Sequence, residues 1–208
     1  PDSHLREILP DVFTWPWFSE RHGYDFNGHL FRHPSGNIAV DPVEMPAGVL
    51  GELTAIGVSM ILVTNRNHTR ASRELREATG ARVAIHPADA AHARAQGASI
   101  DGELHVGERI GSFTVLSAEG KSPGEVALHW PQRKILVIGD ACVGKPPGEC
   151  ALLPESVIDD PAALRRSLAL LARETDFDVL LMGDGAPILR GGRAALARLV
   201  ASFGDRGA

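Results

Sequence analysis

The residues of this chain that could do chemistry gather where apolar runs stop. Five segments share one form, an apolar stretch ending in a polar loop: residues 38–41, 61–68, 117–124, 135–140 and 180–184. Their ends carry Asp41, Asn65, Asn67, His68, Lys121, Asp140 and Asp184. A loop anchored by a rigid strand is where binding and catalytic groups collect. Two of the segments contain a Gly-Asp step, Gly139-Asp140 and Gly183-Asp184. The glycine permits close backbone approach and leaves the carboxylate at the rim of a sheet. The chain also holds nine histidines, which raises metal binding as a question to be settled position by position.

Most of these histidines read as ordinary. His68 is expected to be a loop histidine bonded to a neighbouring carbonyl, with a ligand role as the sharper alternative. His29 and His33 are four apart, a spacing that shares a strand face but separates the side chains widely; with His22 they are expected at the surface or a pocket rim. His86, His92, His105 and His129 look like helix-edge or strand-edge residues. Cys142 and Cys150 flank a loop rich in Gly and Pro and are read as two reduced thiols rather than a reactive or metal-binding pair. Ser122 sits in no nucleophile elbow. Lys121 is a candidate nucleophile or base, although a nearby Asp140 would keep it an ordinary charged lysine. Trp15, Trp17 and Phe18 are expected in the core, with a pocket mouth as the alternative.

The elements that must position these groups alternate in kind. Residues 12–18, 24–33 and 37–40 read as a strand meander, and 46–56 as a helix stopped by Gly57. Residues 59–63 are apolar throughout, as in a strand covered on both faces. A helix over 69–79, a strand over 82–85 and a short helix over 88–95 opened by Pro87 follow. Strands are then expected at 103–106, 113–118, 125–130 and 134–138, with a turn at 131–133 and a loop over 139–154. A helix over 161–174 with Asp160 as its cap, a strand over 179–182 and a helix over 191–203 complete the chain. Two mixed halves of this kind give an α/β chain of α+β type, a four-layer αββα sandwich formed by one domain over residues 1–208.

Composition agrees with a globular protein. Of the 208 residues, 44% are hydrophobic and 23% charged, with a formal charge of -5, so neither nucleic acid nor an anionic membrane surface is an expected partner. No apolar run approaches the ~20 residues of a membrane span. Two cysteines cannot make a disulfide scaffold. With no signal peptide evident, the expected location is cytoplasmic. A homo-oligomer is left open.

The order and spacing of these segments resemble the metallo-β-lactamase-fold superfamily. The matching pieces are the strand ending in Asp41, the stretch Thr64-Asn65-Arg66-Asn67-His68-Thr69-Arg70, the turn Gly120-Lys121-Ser122-Pro123-Gly124, and the steps at Gly139-Asp140 and Gly183-Asp184. The resemblance implies a hydrolase fold holding one or two metal ions, usually zinc, on a His-x-His-x-Asp-His motif and further ligands. Those motif positions here are Asn65, Asn67, Thr69 and Arg70; the next His position is Lys121, the bridging Asp is Asp140, and the last His position is Asp184. Asn and Thr are poor zinc ligands, and Arg70 and Lys121 are cations where a dication would sit. The resemblance therefore implies a member whose metal site is degenerate. It would be metal-free, without a cofactor, its cleft held by ion pairs joining Arg70 and Lys121 to Asp140 and Asp184, and would bind a small molecule there. Whether it is an enzyme stays open. One alternative is a hydrolase with a single zinc on His68, Asp140 and Asp184, with Asp41 as a further candidate. The other is a structural or interaction protein.

Overall fold

A computed structural model describes residues 4–204. The chain divides into two compact units, one ending at His105 and one beginning at Val106. Among the described residues no helix is long and apolar enough to cross a membrane.

The first unit is built on a seven-stranded sheet whose strands follow one another in chain order. They are β1 (Arg6–Leu9), β2 (Val12–Ser19), β3 (Tyr24–Phe31), β4 (Ile38–Val40), β5 (Met60–Val63), β6 (Arg82–Ile85) and β7 (Gly102–Glu103). The meander β1 to β4 is antiparallel, and β4 to β7 are parallel. Parallel neighbours need crossovers, and these contain the helices α1 (Ala47–Ile56), α2 (Ser72–Thr79) and α3 (Pro87–Ala95). Leu53 of α1, Leu75 of α2 and Ala93 of α3 pack with Ile61, Val63, Val83 and Ile85 in one core. Residues 61–63 of β5 and 83–85 of β6 are buried, which explains the apolar runs there. Outside the sheet core, Asp101 accepts the Val83 amide (2.9 Å) and pairs with Arg76 of α2. The guanidinium and this amide hold the Asp101 carboxyl down at about 2.

The second unit has a five-stranded sheet in the order β12-β11-β10-β9-β8. The strands are β8 (Arg109–Ile110), β9 (Phe113–Ser117), β10 (Val126–Trp130), β11 (Ile135–Ile138) and β12 (Val179–Met182). Only β11 and β12 run parallel, joined through α4 (Pro161–Glu174), and α5 (Gly192–Ala201) follows β12. Leu164, Leu168 and Leu171 of α4 and Leu196 of α5 pack on Leu136, Ile138, Leu180 and Met182. As expected, Asp160 caps α4 by accepting the Ala163 amide, with Pro161 in the first turn.

The differences from the sequence reading are local. The short edge strands β1 and β8 had no pattern long enough to see, and the strand expected at 103–106 shrinks to β7. The helix expected from residue 69 begins at Ser72, because Asn65 to Ala71 are used in turns. The His68 amide bonds to the Asn65 carbonyl, the Ser72 amide to the Thr69 carbonyl, and Arg70 takes a positive φ of 23°. His29 is not at the surface: it is fully buried on β3, with its ring near Phe31. The second half of β3, residues 27–31, is buried throughout, polar residues included.

Candidate functional site

In the first unit the site grows from the parallel pairing of β4 and β5. The register sets Val40 against Leu62, so the next residue, Asp41, lies beside the start of the loop after β5. Asp41 has a positive φ of 47°, which turns its side chain back to that loop. Its carboxylate accepts the Thr64 amide (2.8 Å), the Thr64 hydroxyl (2.6 Å) and His68 Nδ1 (2.8 Å). All three residues are buried. The carboxylate fixes the proton of His68 on Nδ1, leaving Nε2 as the acceptor. That acceptor faces Arg70, whose Nη2 lies 3.2 Å away. The Arg70 guanidinium also lies over the Phe26 ring, 3.9 Å from its centroid. His68 is thus partnered by a buried carboxylate and a guanidinium.

The other motif positions serve the turn. Asn65 is buried, and its side-chain oxygen accepts the Asn67 amide at 2.8 Å. Asn67 is exposed, and Thr69 is half-buried with its carbonyl closing the turn into α2. The Arg66 amide bonds to the buried Asp89 carboxylate of α3. Beside Arg70 opens a cavity of about 510 Å³ lined by Trp17, Phe26, Val43, Glu44 and Glu74. Trp17 therefore does line a pocket, whereas Trp15 is core, its indole N–H bonded to the Val43 carbonyl. Alternation along β2 puts these two residues on one face, so only the depth of burial separates them.

In the second unit, the turn after β9 carries Lys121. Gly120 allows that turn to lie against α4: a Cβ there would come within 2.2 Å of the Leu164 nitrogen. The Gly120 carbonyl accepts the Asp160 amide at 2.8 Å. Lys121 Nζ lies 3.1 Å from Asp140 Oδ2, and the side chains are 5% and 7% exposed. Glu125, also buried, accepts the Ala141 amide at 3.1 Å and holds the loop that carries Asp140. Asp184 follows β12 and is buried. Its loop is joined to the loop after β11 by the Gly144–Asp184 and Ala186–Gly144 backbone bonds of 3.0 and 2.8 Å. A Cβ on Gly144 would sit 2.1 Å from the Ala186 oxygen, so glycine is what lets these two loops touch. The parallel neighbours β11 and β12 thereby set Asp140 and Asp184 on linked loops.

A family profile described as the metallo-β-lactamase superfamily matches residues 5–203. The chain belongs to this superfamily. Among the described residues, two sheets and five α-helices match the metallo-β-lactamase-like sandwich fold expected from the sequence. Among solved structures it is similar to TTHA1623 in a di-iron-bound form, at 26% identity over 89% of this chain and 98% of that one, with a TM-score of 0.68. It is also similar to a metallo-β-lactamase from Pontibacter korlensis (16% identity, 98% and 99% coverage, TM-score 0.79). A β-lactamase domain protein from Burkholderia ambifaria matches at 18% identity over 99% and 77%, with a TM-score of 0.77. No curated protein matches in sequence.

Proposed function

We propose that this superfamily member has exchanged its metal centre for hydrogen-bonded charges and binds a small molecule in the cleft where its relatives do hydrolysis. The observation that carries the reading is the buried Lys121–Asp140 pair. Its ammonium stands at a position where the superfamily places a ligating imidazole, and it neutralises the one ligand that keeps its identity.

The donor set fits a dinuclear metal centre poorly. Asn65 is committed to a turn, and neither it nor Asn67 and Thr69 is a zinc ligand of normal strength. Nε2 of His68 already faces a guanidinium. A dication would have to compete with two fixed cations, Arg70 and Lys121. On this reading the route to hydroxide through metal-bound water, which lowers the pKa of water to about 7, is lost. A cationic side chain polarises an oxygen but does not bind water as a Lewis acid.

One observation favours a second reading, a hydrolase with a single metal. The Asp41 carboxylate orients His68 through Nδ1, as outer carboxylates orient metal-bound imidazoles. His68, Asp140 and Asp184 are the groups of ligand type such a site would draw on, and Arg70 would have to leave Nε2.

Elemental analysis of protein purified without chelator or nickel resin separates the two. The proposed reading expects well under one equivalent of zinc, iron or manganese. It also expects no turnover of a chromogenic cephalosporin, an acyl thioester or bis(p-nitrophenyl) phosphate, with or without added zinc. A stoichiometric metal that survives dialysis and is lost in Asp140→Ala establishes the second reading instead.

A further inference from the structure

A second chemically equipped cavity lies in the second unit, between the loop after β11 and helices α4 and α5. It has a volume of about 670 Å³, and its lining includes Glu149, Cys150, Leu152, Glu155, Arg165 and Arg198. That is the size range of small-molecule sites. Arg165 is already paired with Glu155 at 2.6 Å. Arg198 makes only a 3.5 Å contact to the Gly148 carbonyl, so its charge remains available to the cavity.

Cys150 is a free thiol, half-buried, and Cys142 is a free thiol that is fully buried. A two-way backbone bridge joins Val143 and Ala151, with both N–H···O distances 2.9 Å. Residues preceding the two members of an antiparallel bridge share one face, so both sulfurs lie on the same side of it. The neighbouring Cys142 thiol and the positive charge of Arg198 lower Cys150 from the usual thiol range, against the opposing effect of burial. Cys142 is pushed the other way, well above that range, by the neighbouring Cys150 sulfur and by burial. One sulfur thus lines a cavity, and the other is buried.

We propose that Cys150 is a site of reversible modification by an anionic low-molecular-weight disulfide that docks in this cavity against Arg198. The Cys150 thiolate, its proton given up to solvent, attacks one sulfur of the disulfide. The S–S bond of the reagent breaks, a new S–S bond joins Cys150 to one half, and the other half leaves as a thiolate and takes up a proton. The protein thiol is oxidised and the departing sulfur reduced, so the disulfide itself is the oxidant. Neither Cys150 nor Arg198 is part of the candidate site above, and the proposal stands independently of how that site is read.

The test incubates the intact native chain with oxidised glutathione and, separately, with cystamine, its cationic counterpart, and follows both by intact mass and peptide mapping. The expected result is one glutathionyl group on Cys150, removed by dithiothreitol, absent in Cys150→Ser, and formed faster than the cystamine adduct. Arg198→Gln, a change on an exposed helix surface, should slow the glutathione reaction about five-fold, the effect of one partly exposed charge. No adduct on the native chain, an adduct on Cys142 alone, equal rates for the two reagents, or an Arg198→Gln variant that reacts as fast as the parent would each overturn the proposal.

Discussion

Replacing Lys121 by methionine tests whether the Lys121–Asp140 pair organises the site. The substitution keeps an unbranched apolar stem and removes the terminal ammonium. Two unit charges ~4 Å apart attract by about 4 kcal/mol at an effective dielectric of ~20, and the observed contact is 3.1 Å. Desolvation of both ions offsets most of this for the pair as a whole. It does not offset it for Asp140 once the ammonium is gone, because the carboxylate stays buried. The expected loss is about 3 kcal/mol of unfolding free energy. Equilibrium urea unfolding followed by far-UV circular dichroism measures it, with Asp140→Asn and the double variant completing a cycle. The coupling energy should be about 2 kcal/mol. It should change little between low and high salt, since buried charges are poorly screened. A loss within ~0.5 kcal/mol for Lys121→Met, the range of a neutral surface change, would refute the reasoning and make both groups solvated bystanders.

Asp41→Ala removes the acceptor of three buried donors and should cost about 3 kcal/mol or more; nitrogen-15 NMR of the parent should show His68 neutral with its proton on Nδ1, and a proton on Nε2 would contradict the assignment. Asp101, ordinarily 3.8 and held at about 2 in the fold, contributes stability that is complete above pH ~4 and lost as pH falls through ~2. Asp101→Asn should therefore flatten the acid limb of a stability–pH curve, by no more than ~1 kcal/mol because the pair meets solvent. Converting Asn65, Asn67, Arg70, Lys121 and Asp184 to His and Thr69 to Asp should create zinc uptake that the parent lacks, read by equilibrium dialysis. Equal uptake in both would show that these positions do not make the site.

Which parts of this arrangement were legible in the sequence follows from the range of each interaction. Strand ends were visible because apolar runs and Gly-Asp steps are local signals, and β6, α4 and β12 appear with the bounds their patterns predict. The meeting of Lys121 and Asp140 was legible as a requirement of charge balance, though not as a choice between Asp140 and Asp184. The carboxylate partner of His68 was not legible. Asp41 is 27 residues away, and a hydrophobic pattern reports which face is buried, not which polar group crosses to it. Once the register of β4 on β5 is known, however, Asp41 has to fall beside Thr64, and the three bonds it accepts follow from that placement.

On the proposed reading, a metal site has been dismantled in this chain. A ligating imidazole replaced alone would leave its neighbours with unbalanced charge or orphaned lone pairs in a dry interior, which costs several kcal/mol. Replacements that survive have to come as sets. In the first unit Arg70 meets the Nε2 lone pair of His68, while Asp41 meets its Nδ1 proton. In the second an ammonium meets the carboxylate that remains. Asn65 closes the turn. On the proposed reading, reverting any single position should therefore destabilise the chain without restoring metal affinity. Lys121→His alone leaves Asp140 facing a weaker base, and Arg70→His alone takes a hydrogen-bond donor from His68. The combined variant is the one expected to recover both stability and zinc together, so the non-additivity between single and combined changes is the quantity that reports on the site.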